Sequence, residues 1–149
     1  MVLSQKSQYA VRAVFELAKR DGSGPVKTAR IAAAEAIPAR FLENILSQLR
    51  QAEIVESVRG KDGGYLLHRA PDEITVGEVI RLVQGPMLPV ECTDPATAKD
   101  CPLRPGCVLL PMWDRAYQAM MGVYDGTTFQ ELVDEERAAR RFEAPNYAI

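Results

Sequence analysis

The stretch from Lys27 to Leu67 narrows the possible folds more than any other. It runs from a small alanine-rich segment, TARIAAAEA, through a break at Ile37-Pro38 into the strongly periodic PARFLENILSQLRQ. In the periodic part Phe41, Leu42, Ile45, Leu46 and Leu49 recur at the spacing of one buried helical face. The spacing predicts a helix over Ala39–Gln51, with Pro38 near its first turn, where a missing N–H costs nothing. The other face carries Arg40, Glu43, Asn44, Ser47 and Gln48. These are short or planar hydrogen-bonding groups, with few of the long Lys/Glu pairs of an ordinary solvated helix, and such groups can read base edges in a major groove. Two β-prone runs follow, around Val55–Val58 and Tyr65–Leu67, separated by Gly60-Lys61-Asp62-Gly63-Gly64. The glycines suit the positive-φ positions of a hairpin loop, and Arg59 and Lys61 fall at its tip. Helix, turn, helix and basic hairpin in that order predict a helix-turn-helix with a wing. The candidate DNA contacts are Lys27, Thr28, Arg40, Phe41, Glu43, Asn44, Ser47, Gln48, Arg59 and Lys61.

The rest of the chain reads as support for that unit or control over it. Ser4 is a good N-cap for a first helix running to about Lys19, and Asp21-Gly22-Ser23-Gly24-Pro25 ends it. A second helix is expected from about Lys27 to Ala34, with Ile31 and Ile37 as core anchors. Thr75-Val76-Gly77-Glu78 has the form of a capping box, and Gly85-Pro86 stops the helix it opens. Prolines at 86, 89, 95, 102 and 105 then exclude a long helix or a central strand. From about Val108 to Tyr124 the pattern is helical again, but its apolar residues cover more than one face, which calls for a second chain as cover or for a helix folded back on its own domain. Thr128-Phe129-Gln130-Glu131 opens a last short helix, and the tail EERAARRFEAPNYAI carries no evident function. The expected fold is mainly α with a small β-hairpin wing. It divides into a winged helix-turn-helix DNA-binding domain at 1–84, a Cys/Pro-rich sensor loop at 85–107, and a dimerisation helix with tail at 108–149.

The net charge of −2 conceals an uneven split. Residues 1–70 carry a net +4 and residues 71–149 a net −6, which places the positive charge with the helix-turn-helix. No apolar run reaches the ~18 residues of a membrane span, and the start lacks a signal-peptide core, so a cytoplasmic location is expected. No arrangement of the single histidine, His68, with serine or cysteine points to an enzyme. His68 reads as a surface residue at the base of the wing.

All three cysteines fall in one pattern, Cys92-x8-Cys101-x5-Cys107. An odd number cannot complete a disulfide framework, and the prolines keep the loop irregular enough for thiols to converge. Thiolates select iron–sulfur clusters or zinc over hard cations. A closed zinc site prefers four protein ligands. A thiol redox switch, a zinc site and three reduced cysteines in a loop are the other readings of the same residues. A winged-helix module for protein partners, without an operator, is a further alternative, against which the basic wing speaks.

These stretches resemble the Rrf-two family of bacterial winged-helix regulators. The resemblance rests on Leu3-Ser4, Tyr9-Ala10-Val11, Ile31-Ala32, Ile37-Pro38, Phe41-Leu42-Glu43, Leu46 and Leu49-Arg50. It continues through Ser57-Val58-Arg59-Gly60, Gly63-Gly64-Tyr65-Leu66, Ile74-Thr75-Val76, the Cys-x5-Cys spacing and Trp113. It covers about 1–135 and implies a homodimer on a palindromic site in double-stranded DNA. It also implies that Glu43 helps read bases, that Arg59 enters the minor groove, and that Cys92, Cys101 and Cys107 hold a 2Fe–2S or 4Fe–4S cluster that changes DNA affinity. The fourth ligand stays open: Leu110 stands where some members have histidine, and Gln8 and Arg12 where others have an acid or histidine. Glu91, Asp94, Asp100 or a group from outside the chain remain as candidates. Ala36 and Glu53 replace two family glycines, each at a cost of about 1 kcal/mol if the backbone there stays left-handed.

Overall fold

The computed structural model of the chain describes residues 2–98 and 101–143. Asp100 and the last part of the tail, 144–149, lie outside them. Helix α1 spans Gln5–Lys19 and begins at Ser4, whose Oγ accepts from the amide of Ser7 at 3.1 Å. Helix α2, Thr28–Glu35, ends at Ala36 in the left-handed region, with φ 50° and ψ 48°. Pro38 caps α3, which spans Ala39–Gln51. Strands β1, Val55–Val58, and β2, Gly64–Leu67, pair antiparallel with Val55 opposite Leu67 and Val58 opposite Gly64. Helix α4, Val76–Gln84, opens at Thr75, whose side chain accepts from the amide of Glu78. Only half of the expected box forms there, because the Glu78 carboxylate pairs with Arg69 instead.

The wing is tied to the helix-turn-helix by backbone. Val26, just before α2, exchanges two hydrogen bonds of 2.8 Å with Tyr65. Gly64 makes that approach possible: a Cβ there would stand 2.3 Å from the carbonyl oxygen of Val26. A third, one-residue rung thus holds Lys27 at the base of the wing.

One continuous core lies among α1, α3, α4 and the hairpin. Leu42, Ile45, Leu46 and Leu49 of α3 are closed from solvent, as are Ala13 and Val14 of α1 and Val79 and Ile80 of α4. Phe41 departs from the expected buried face: it is 39% exposed. The first turn of α3 overhangs the edge of the core, so the ring rests on Tyr9 rather than inside.

Residues 86–107 contain two single 3-10 turns, Glu91–Thr93 and Arg104–Gly106, among the described residues. Helix α5 then spans Leu110–Gly126. Its C-terminal end is docked on the head. Arg81 pairs with Asp125 at 2.7 Å, and Gly77 leaves room for the same carboxylate. Val76 and Phe129 add backbone hydrogen bonds to Thr127 and Ile74.

Helix α6, Phe129–Glu143, is not the short element expected from sequence. The capping box at its start forms in full. The Glu131 carboxylate accepts from the amide of Thr128 at 2.7 Å, and the amide of Glu131 donates to Thr128 Oγ1 at 3.2 Å. Phe129 and Val133 are buried in the main core, so much of the supposed tail returns to pack on α1. The C-terminal segment therefore shares its core with the head.

Candidate nucleic-acid interface

The outward face of α3 follows from the burial of its apolar stripe. With Leu42, Ile45, Leu46 and Leu49 inside, Arg40, Glu43 and Asn44 are exposed. Ser47 is half-buried. Gln48 is half-buried too, and its amide oxygen is buried without a hydrogen-bond partner among the described residues. Gln48 is therefore the least presented of the predicted α3 contacts. Arg59 and Lys61 stand exposed where the hairpin turns, and Lys27 is exposed at the start of α2 beside the half-buried Thr28. Among the described residues none of Lys27, Arg40, Glu43, Arg59 and Lys61 forms an ion pair. The four cations among them, Lys27, Arg40, Arg59 and Lys61, can neutralise phosphates without first breaking an internal pair.

The sequence reading missed the contribution of α1. The ring of Tyr9 lies 5.9 Å from that of Phe41, tilted by 47°. The Arg40 guanidinium covers the Phe41 ring at 4.8 Å, and that of Arg12 covers Tyr9 at 5.0 Å. Lys6 joins Arg40, Phe41 and Asn44 around an open hollow at the head of α3. The i, i+3 spacing of Lys6 and Tyr9 was the available signal.

His68 is a surface residue, as expected, with Nδ1 3.1 Å from the Glu56 carboxylate across the hairpin. Behind the interface lies a charged network. Glu16 is 1% exposed and takes Lys19 at 2.8 Å and Arg20 at 2.5 Å. Burial alone would raise its carboxyl pKa, but the hydrogen bonds and charges of Lys19 and Arg20 prevail and hold it below the usual range. Lys19 also reaches Glu35, at the end of α2, and Glu136 of α6. Burial pulls its pKa down, Glu16 and Glu35 push it up, and the result is raised.

Cys92, Cys101 and Cys107 are free thiols, each half-buried. Arg104, between the last two, donates to the carbonyls of Cys92 at 3.0 Å and Ala98 at 3.4 Å, which folds the loop back on itself. Among the described residues no three ligating side chains stand close enough to hold one metal ion. The donor set suits a soft metal or cluster in kind, and the thiols would have to be drawn together to enclose one.

The family described as "Rrf2: Iron-dependent Transcriptional regulator" matches residues 3–135. The chain belongs to the Rrf2 family. A similar Rrf2 relative is the HTH-type transcriptional regulator CymR of Bacillus subtilis, 37% identical over 95% of this chain and 99% of the relative. IscR of Sodalis glossinidius is 35% identical over 91% of this chain and 81% of its own length. Two solved structures agree. "The Structure of CymR (YrzC) the Global Cysteine Regulator of B. subtilis" covers 91% of this chain and 98% of that one, with TM-score 0.75 and 36% identity. "T. potens IscR" covers 93% and 90%, with TM-score 0.73 and 31% identity. This Rrf2 chain is a DNA-binding transcriptional regulator with a winged helix-turn-helix, and not an enzyme. No helix among the described residues is long and apolar enough to cross a membrane.

Proposed function

We propose that the chain acts in the cytoplasm as a sequence-specific regulator, binding a palindromic promoter site as a homodimer. In this reading an iron–sulfur cluster on Cys92, Cys101 and Cys107 sets its affinity for DNA. The observation that carries it is the pairing of an exposed polar α3 face and basic wing with a helix, α5, that packs Tyr117, Met120, Met121 and Tyr124 on its own core and still leaves Met112 and Val123 exposed. Two copies joined through α5 would present two α3 helices to successive turns of duplex, about 34–36 Å apart. Glu43 and Asn44 would meet base edges, with Ser47 and Gln48 behind them, Arg59 would enter the flanking minor groove, and Lys27, Thr28, Arg40 and Lys61 would hold phosphates.

The family's description as iron-dependent and the three soft donors support the cluster, of 2Fe–2S or 4Fe–4S type. A bound cluster would supply one-electron redox chemistry and a reversible crosslink within the loop. The loop lies between α4 and α5, so ordering or releasing it would bear on how the two heads are held relative to each other. Arg104 holds that loop to itself through the Cys92 and Ala98 carbonyls. A second reading, a thiol redox switch, is favoured by the half-exposed, unpaired state of all three cysteines. Anaerobic purification followed by iron and acid-labile sulfide analysis separates the two. Both elements bound to the dimer support the cluster, and colourless protein with neither leaves the thiol switch.

A further inference from the structure

We propose that Phe41 is a base-specific contact whose ring reads the 5-methyl group of a thymine in the major groove. The inference rests on the reading of α3 as the groove-entering helix and adds what this one residue recognises. Phe41 occupies the first turn of α3, and the N-terminal residues of a recognition helix are those that meet base edges. It is the one large apolar side chain of that helix left substantially open, at 39% exposure, while Leu42, Ile45, Leu46 and Leu49 are fully closed.

The ring is open but held. Tyr9 supports it at 5.9 Å and the Arg40 guanidinium covers it at 4.8 Å, so it is presented in a fixed position at little cost in side-chain entropy. Its surroundings select the partner. Lys6, Arg40 and Asn44 rim the hollow beside the ring, so the apolar spot is single, small and ringed by positive and amide groups. A protein partner would want a wider apolar patch. Duplex DNA supplies what this rim complements: phosphates for Lys6 and Arg40, and one kind of apolar group on the major-groove floor, the thymine methyl. Asn44, three residues on, carries the amide that pairs with adenine, so a thymine beside an adenine is the expected target.

The test uses the full chain. An operator is selected from random duplexes, with the cysteine loop both iron-loaded under anaerobic conditions and metal-free and reduced. Each thymine of the selected site is then replaced by uracil, which removes the methyl group and nothing else. One thymine per half-site is expected to lose about three- to fourfold in affinity on this change, the worth of one buried methyl. Phe41→Ala is expected to bind the thymine and uracil duplexes equally at that position, while Phe41→Leu keeps part of the difference. A selected site with no methyl-sensitive thymine overturns the proposal, as does a Phe41→Ala chain that keeps the full difference. The uracil scan on the unaltered protein does not depend on any variant folding. A selection that yields no consensus in either state overturns the DNA reading itself, and the role of Phe41 with it.

Discussion

Helices α3 and α5 are built from similar kinds of residue and end in opposite situations. In α3 the apolar residues form a single stripe, and Leu42, Ile45, Leu46 and Leu49 vanish into the chain's own core. The face left over is polar, and it stays unpaired. In α5 the apolar residues run round the helix, and Met121 alone is buried. Met112 and Val123 stay exposed, as do Val108 and Leu109 just before the helix begins. The lesson is about stripe width. A narrow stripe can be satisfied within one chain and leaves a clean surface for another kind of partner. A helix apolar on several sides keeps an apolar surplus that its own chain does not cover, and a second copy is the simplest cover.

The sharpest way to break this contrast is to injure each helix where it is apolar. Ile45→Ala is expected to cost about 3 kcal/mol of stability, since it opens a cavity in a closed core, and urea denaturation would read it. Val123→Asp places a charge on a residue already 65% exposed, so the single-chain fold should survive with little change. Its expected effect is on association: if the parent is the proposed α5-joined dimer, sedimentation should show a dimer for the parent and a monomer for Val123→Asp. A Val123→Asp chain that stays dimeric, or an Ile45→Ala chain as stable as the parent, would remove the distinction.

The same contrast explains what could be read from the sequence. The bounds of α3 and of the hairpin were legible because a narrow stripe and a glycine-rich loop are local signals. Phe41 was misassigned because periodicity counts spacing and not where the core ends; its ring overhangs α1 and finds Tyr9. The length of α6 was hidden in EERAARRFE, a run that looks solvated. It is helical because Phe129 and Val133 anchor its start and Glu136 pairs with Arg140 at 3.1 Å one turn on. The clustering of Cys92, Cys101 and Cys107 was visible in sequence, but whether the segments between them bring thiols to one point is a tertiary matter that spacing does not encode.

Glu16 supplies the next test, because its network ties α6, the element after α5, to the end of α2, the element before α3. Glu16→Gln is expected to cost about 2 kcal/mol at neutral pH, less than a fully buried pair because Lys19 and Arg20 keep part of their solvent. The folded-state pKa of Glu16 is lowered, so its stabilisation is present above the unfolded pKa and is lost as pH falls through the folded one. The parent should therefore lose stability on acidification through the carboxylate range more steeply than Glu16→Gln. The raised pKa of Lys19 works the other way: its contribution is complete below the ordinary lysine range and is lost in alkali. Urea midpoints followed from neutral to about pH 3 would show the acid limb. Parallel limbs for the two chains would mean that the Glu16 pairs with Lys19 and Arg20 add nothing measurable to stability.

On the reading side of the contrast, Arg59→Ala is expected to weaken operator binding about tenfold, most where the site flanking the wing is rich in A·T pairs. Fluorescence anisotropy on the selected operator and on a version with G·C flanks would measure it. An equal loss on both would reduce Arg59 to a phosphate contact.

The smallest expected effect concerns the turn that sets α3 in place. Ala36 has φ 50° and Glu53, just after α3, has φ 57°, so residues with side chains hold both left-handed positions flanking the recognition helix. A Cβ in that conformation costs about 1 kcal/mol, and glycine removes the cost while adding freedom to the unfolded chain. Ala36→Gly should therefore gain about 0.5 kcal/mol, or one to two degrees in melting temperature for a chain of this size. The Ala36 carbonyl still accepts from Arg12 at 3.4 Å after the change, and its amide still closes α2 on Ala32, so α3 should keep its place. Operator affinity is then expected to stay the same while stability rises. If affinity falls instead, the rigidity of the Ala36 turn is part of how the polar face of α3 is presented, and burial of its apolar stripe is not sufficient to fix it.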